Sequence, residues 1–280
     1  MNDEIDPDAY LRRVGLPETG WAPTADALRR LHRAHVDAIG FDNVTPALGG
    51  VPALDLPTLG RRMVAEGRGG YCLEHVTLFA AVLRALGFDV RRRLSRVGDP
   101  AQVDPDRPPT HLTTLVRVRG DERPWMADVG FGVGILGPVP VPVTPGPGRP
   151  VRYGAWVQRA DRREDGDILL LERGRDGWRP LHTTFDAPLD DAAIEDANRW
   201  VALEPRSPFA GRLVAMRTTD ERRERLVGTR LEVTGADGST EVSELAPAAA
   251  LEQLQGRFRG VVDAREREEL ERLLGTAASR

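Results

Sequence analysis

Cys72 is the only cysteine in a chain of 280 residues. Gly69-Gly70 breaks the chain just ahead of it, and residues 72–86 read as a helix stopped by Gly87. That reading sets the thiol in a first helical turn, where unpaired N–H groups and the positive end of the dipole favour an anion. The thiolate is the nucleophilic form of cysteine. A lone cysteine is more often a small buried hydrophobe. The Gly-Gly turn and the helix start argue here for a nucleophile. Such a thiol needs a base, and the base needs an acceptor to orient it. His111 opens a strand-like run at 111–119, and Asp128 stands near the end of a returning run at 124–129. Their separation of seventeen positions spans two antiparallel strands and a turn, so the two side chains can be cross-strand neighbours. Asp is poor strand material, and a charge among Met126, Ala127 and Val129 calls for a partner. Taken singly, His111 is a strand-edge histidine and Asp128 a cap on the Gly130 turn. With Cys72 they are candidates for a nucleophile, its base and the acid that orients the base.

Two kinds of element have to position these groups. The first ninety residues read as helices: 6–15 opened by Asp6-Pro7, 25–39 capped by Thr24, 55–66 opened by Asp55-Leu56-Pro57, and the cysteine helix. Leu28, Leu31, His35 (or Ala34) and Ala38 give the second helix an inward stripe. His32 and His35 have the i,i+3 spacing of a metal pair, but Arg29, Arg30 and Arg33 around them suggest a solvated face. After Gly87 the period becomes alternating. Strands are expected at 90–97, 111–119, 124–129, 156–158, 168–172 and 178–182, with a turn at 120–122, a proline-rich loop at 99–109 and no pattern in 138–150. Short strands at such spacing suggest an antiparallel sheet or small barrel. The last third is mixed: an acidic helix at 189–200, strands at 212–217, 226–229 and 230–234, a hairpin at Asp237-Gly238, and helices at 246–258 and 263–274. The class is α+β.

Composition narrows the chemistry. Forty per cent of residues are apolar, with five Trp and seven Phe, which is globular. The net charge of −4 argues against a nucleic-acid binder. All 39 basic residues are Arg. Without a lysine there is no Schiff-base chemistry, no pyridoxal phosphate site and no Walker-type P-loop. One cysteine excludes a cysteine-based zinc site and an intrachain disulfide, which fits a reducing cytoplasm. The five histidines, at 32, 35, 75, 111 and 182, form no H-E-x-x-H pattern, and no metal is expected. The acidic start has no apolar run like that of a signal peptide, and no apolar stretch is long enough to span a membrane.

Several of these segments together resemble the arylamine N-acetyltransferase family. Arg68-Gly69-Gly70-Tyr71-Cys72-Leu73-Glu74 is similar to its RGGxCxE signature. Thr110-His111-Leu112 and Asp128-Val129-Gly130-Phe131-Gly132 resemble its His and Asp segments, in the same order. Phe41-Asp42-Asn43 resembles its Phe-Glu-Asn element, with Asp for Glu, and Ser207-Pro208-Phe209 its third-domain segment. The resemblance covers nearly the whole chain. It implies a cysteine-protease-like core, shared distantly with transglutaminases, in three units: a helical bundle at 1–88 carrying Cys72, a β-barrel at 89–188 carrying His111 and Asp128, and an α/β lid at 189–280. It implies acetyl transfer from acetyl-CoA, a co-substrate and not a bound cofactor, to an arylamine or arylhydrazine through acetyl-Cys72, as in cytoplasmic xenobiotic metabolism. Phe131 and Phe209, then Phe41 and Tyr71, become candidates for the amine pocket. Arg68 and Glu74 are read as a structural pair around Gly69-Gly70. Val133 departs from the family's Gly-Phe-Gly-Gly run and could alter donor access. The alternatives are an amide synthase closing a polyketide macrolactam from a carrier-protein thioester, and a transglutaminase-like thiol hydrolase. A non-enzymatic binding module would have no need of the three triad residues together. Whether the protein is a monomer or a homodimer is left open.

Overall fold

A computed structural model describes residues 5–104 and 106–277; the start at 1–4, part of the reading that no signal peptide is present, lies outside them. Helix α1 (Pro7–Arg13) opens where Asp6 Oδ1 accepts from the N–H groups of Asp8 and Ala9 at 2.9 and 3.1 Å. Helix α2 (Ala25–Ala38) starts where Thr24 Oγ1 accepts from Ala27 N at 3.3 Å. The inward stripe of α2 holds both of its histidines: His35 as the helical phase allowed, and His32 contrary to the solvated face suggested by the arginines. At about 100° per residue, positions 28, 31, 32 and 35 share one side, and Arg29, Arg30 and Arg33 turn to the other. His35 is tied into a buried chain. Tyr10 O–H meets its Nδ1 at 2.7 Å, its Nε2 meets His75 Nδ1 at 2.7 Å, and His75 Nε2 meets the Gly40 carbonyl at 3.1 Å. A carbonyl only accepts, so His75 donates there, and every donor in the chain then points the same way. Both rings are neutral. Burial pushes His75 down to about 4 and His35 well below the usual range.

Strand β1 (Phe41–Asp42) and the short helix α3 (Val44–Ala47) follow. The helix expected at 55–66 is α4 (Leu56–Leu59) running into a π-helical stretch at Gly60–Ala65. Helix α5 (Cys72–Ala85) begins at the cysteine. It is buried on almost every side, between α1, α4 and the barrel strands β2 (Asp89–Val97) and β3 (His111–Val118).

The barrel continues through β4 (Asp121–Ala127), β5 (Val139–Pro140), β6 (Val151–Tyr153), β7 (Trp156–Arg162), β8 (Ile168–Gly174) and β9 (Gly177–Thr184). The order β5-β4-β3-β2-β9-β8-β7-β6 is antiparallel throughout, and the sheet curls into a nearly closed barrel with β5 against β7. Leu115, Met126, Val139, Ala160, Ile168 and Leu170 form its core. Two differences from expectation are local. Asp121 and Glu122 belong to β4, the turn being at Arg119-Gly120, and the patternless stretch 138–150 contains β5.

Helix α6 (Asp191–Leu203) is capped by Asp190, whose Oδ1 accepts from Ala193 N at 2.8 Å. Its Ile194, Ala197 and Val201 enter the same core as α2 and α5. Strands β10 (Val214–Thr218), β11 (Arg222–Val227), β12 (Arg230–Gly235) and β13 (Thr240–Glu244) form a second sheet, in the order β1-β10-β11-β12-β13. Residues of α7 (Pro247–Gly256) and α8 (Ala264–Ala277) complete that core. The first ninety residues are therefore not purely helical, because β1 is an edge strand of the C-terminal sheet. Among the described residues no helix is long and apolar enough to cross a membrane.

Candidate active site

Cys72 is the first residue of α5, after Tyr71 in extended conformation, and it is 5% exposed. The segment before it lies along β1: Asp42 N donates to Gly70 O at 2.9 Å, and Gly70 N to Gly40 O at 3.2 Å. A Cβ at Gly69 would stand 2.1 Å from Asp42 Oδ2 and 2.5 Å from Gly40 O, so the close approach requires glycine. Glu74 Oε2 accepts from Tyr71 N at 3.1 Å, which closes the helix start.

Arg68 and Glu74 do not pair with each other as expected. Glu74, one turn into α5, points back over the helix start and meets Arg62 of the π-helical stretch at 2.8 Å. Burial raises its carboxyl to about 7, with Arg62 pulling the other way. Arg68 reaches out to Glu266 of α8.

His111 and Asp128 meet as a buried pair, with Nε2 2.6 Å from Oδ2. Thr114 is registered with Ala127, so Asp128 falls beside Thr113 and reaches His111 along the diagonal two residues away. Burial works against a charged His111, but the Asp128 carboxylate outweighs it. That charge and its hydrogen bond, with a smaller contribution from the neighbouring Cys72 thiol, raise the imidazole to about 10. Burial likewise opposes the charge on Asp128, yet His111, with help from His182, holds its carboxyl well below the usual carboxylate range. Oδ1 of Asp128 accepts from Gly130 N at 3.1 Å.

His182 on β9 was not singled out by sequence. It is fully buried, with Nε2 3.2 Å from Asp128 Oδ2 and ring centroids 5.3 Å from both His111 and Phe131. The ligand atoms of His111, Asp128 and His182 lie within 4.8 Å of one another, the donor set of a metal site. The 2.6 Å between His111 and Asp128 is a hydrogen bond, shorter than the about 3.3 Å that two ligands keep across one tetrahedral zinc.

Cys72 and His111 open onto a cavity of about 200 Å³. Phe131, Phe209 and Phe41, three of the four aromatic candidates, line it together with Val133. The Phe131 ring stands edge-on to His111 at 5.3 Å. Tyr71 does not line it: it is fully buried beside Phe209, ring to ring at 6.3 Å, with its hydroxyl donated to Asn198 of α6. Trp200, Met216, Arg107 and Arg225 also line the cavity. Nothing in their own sequence neighbourhoods points to it, because the 99–109 loop, α6 and the C-terminal sheet converge there only in the fold. Asn43 holds the Phe209 segment in place. Its Nδ2 donates to Phe209 O and Arg212 O, each at 2.8 Å, and its Oδ1 accepts from Val214 N at 2.7 Å.

A family model described as N-acetyltransferase matches residues 24–267. The arylamine N-acetyltransferase of Mycobacterium tuberculosis is 34% identical over 273 residues, 95% of this chain and 94% of that protein. This chain belongs to the arylamine N-acetyltransferase family. Solved structures of that family share the α+β architecture. The arylamine N-acetyltransferase of Nocardia farcinica superposes with a TM-score of 0.86 at 37% identity, over 96% of this chain and 95% of that one. The Mycobacterium marinum arylamine N-acetyltransferase in complex with CoA gives 0.85 at 31% identity, over 97% and 99%.

Proposed function

We propose that the protein moves an acetyl group from acetyl-CoA to the nitrogen of an arylamine or arylhydrazine through acetyl-Cys72. The observation that carries this is the buried His111–Asp128 pair beside a thiol at a helix N-terminus, facing an aromatic cavity. Each part has a derivable task. Asp128 fixes His111 with Nε2–H toward the carboxylate, which leaves Nδ1 for the thiol, and stabilises the imidazolium. The Cys72 thiolate attacks the thioester carbonyl, the C–S bond to CoA breaks, and the departing CoA sulfur takes the His111 proton. The amine then attacks acetyl-Cys72. Neutral His111 takes the amine proton, and the Cys72 thiolate leaves, restoring the starting pair. Phe131, Phe209 and Phe41 receive the flat ring.

The family relationship and the family's CoA complex support acetyl-CoA as donor. A cavity of about 200 Å³ suits an acetyl group and one ring better than a macrolactam-length chain. We keep 1–88, 89–188 and 189–280 as the proposed units, with α3 and α6 packing across the divisions. A cytoplasmic place, a xenobiotic role, and an absence of nucleic-acid and membrane partners are parts of the same proposal. Initial rates of CoA release, with acetyl-CoA and aniline varied together, test it. Parallel double-reciprocal lines are expected. Intersecting lines would contradict a covalent intermediate, and acetyl-CoA consumption indifferent to amine would indicate a hydrolase.

A further inference from the structure

Asp128 is a buried carboxylate, and buried carboxylates need several donors. His111 supplies one to Oδ2 and the Gly130 N–H supplies one to Oδ1. A third candidate comes from β9, two strands away from β3 on the same face of the sheet. His182 Nε2 stands 3.2 Å from Oδ2, within reach but short of hydrogen-bond geometry, and this buried nitrogen has no other partner among the described residues. On the other edge of the same ring, Nδ1 lies 3.2 Å from Thr184 Oγ1, which in turn lies 2.8 Å from Ser95 Oγ. Ser95 and Thr184 are register partners between β2 and β9, so sheet pairing itself holds this end of the chain.

The protons in this chain can be assigned. Asp128 is ionised and only accepts, so the hydrogen between it and His182 belongs on Nε2. His182 is buried beside the His111 imidazolium, and burial leads the causes that push its ring down, so it is neutral. Nδ1 is then an acceptor, Thr184 donates to it, and Ser95 donates to Thr184. Ser95, Thr184 and His182 thus form one line of donors ending on Asp128. Cys72 of α5 and His111 of β3 lie on the other side. His32 of α2 also faces Asp128 and is neutral, burial pushing it down to about 4.

We propose that His182 is a positioning residue for the acyl transfer: it donates Nε2–H to Asp128 and so keeps the carboxylate ionised with Oδ2 turned to His111. This rests on the function proposed above. It extends the triad to four side chains, Cys72–His111–Asp128–His182. It also couples the triad to the pocket wall, because the Phe131 ring contacts both imidazoles.

The test compares the full-length wild type with His182→Phe and His182→Gln. Phe keeps a ring against Phe131 and His111 but donates nothing, and Gln can place an N–H near the Nε2 position. The readout is the rate of Cys72 alkylation by iodoacetamide against pH, with thermal melting to show that each variant is folded. The low-pH limb, where the thiolate is lost, is expected to move up by about one pH unit in His182→Phe, a tenfold loss of thiolate on that limb. Gln is expected to return it toward wild type. A folded His182→Phe with an unmoved limb would overturn the inference, and so would a shift that Gln does not reverse. If neither variant folds, nitrogen-15 NMR of the wild-type histidines decides. A neutral Nε2–H tautomer for His182 upholds the inference, and a charged ring or an Nδ1–H tautomer overturns it. A wild-type thiol that alkylates slowly at neutral pH would instead sink the catalytic reading on which this depends.

Discussion

Gly130 and Cys72 touch backbone to backbone across the interface between the barrel and the cysteine helix. A Cβ on Gly130 would lie 2.8 Å from the Cys72 carbonyl oxygen and 2.9 Å from its Cα. Neither atom can move without moving the start of α5. The loop that carries Asp128 is thereby brought against the residue that carries the thiol, and the missing side chain is what allows it.

Gly130→Ala should therefore separate Asp128 and His111 from Cys72. We expect a stability loss of about 1–3 kcal/mol, the usual cost of overpacking, and a fall in kcat/KM of roughly a hundredfold from misplacement of about an ångström. Denaturant unfolding and steady-state rates check the two. A folded variant of near wild-type activity would show that the contact does not set the site.

Asn43 makes three hydrogen bonds to the 209–214 segment. Asn43→Ala should cost about 3 kcal/mol, near 1 kcal/mol for each bond. It should also raise KM for the amine, because Phe209 loses the anchor on its carbonyl. The KM change separates this from a loss of stability alone.

Tyr71 and Phe209 touch, but only Phe209 faces the cavity. Phe209→Ala should raise the amine KM severalfold. Tyr71→Phe removes the bond to Asn198. It should lower stability by about 1–2 kcal/mol and leave the amine KM of the folded enzyme unchanged. Equal effects on KM would place Tyr71 in the pocket.

The His111–Asp128 pair gives stability a defined pH dependence. The folded-state pKa of His111 is raised to about 10 from an ordinary 6.5, so its contribution is complete below about 6.5 and is lost as pH rises toward 10. Asp128 is shifted down, so its contribution is present above the ordinary carboxylate range and lost only in acid. Asp128→Asn should be most destabilising between about pH 4 and 6.5, and the gap to wild type should close as pH approaches 10. Urea midpoints at pH 5.5 and 9.5 measure it, and a gap that widens with pH would contradict the ion pair.

Where a residue's own neighbours decide its place, the sequence was readable. Thr24 and Asp6 cap α2 and α1, α5 starts at Cys72, and the β-branched residues of 111–119 mark β3. His111 and Asp128 were legible because their spacing matches a hairpin. Long-range pairing was not legible. His182 approaches Asp128 only because β9 pairs with β2, and no local pattern encodes that. Arg62 reaches Glu74 by way of a π-helical stretch that no residue type announces. Strands of two or three residues, β5 and β6, are too short to show a period. Strand β13 is exposed along its whole length and has no apolar face to alternate. His32 was misread because sequence neighbours were weighed above helical phase, and His35, which the phase had set on the inward stripe, was assigned to the solvated face for the same reason.

The most direct test is the mass of the intact protein after brief incubation with acetyl-CoA, beside Cys72→Ala, followed by addition of aniline. We predict one acetyl adduct on the wild type, none on the variant, and loss of the adduct with formation of acetanilide when the amine is added. An adduct that persists in Cys72→Ala, or catalytic turnover by that variant, would contradict the account.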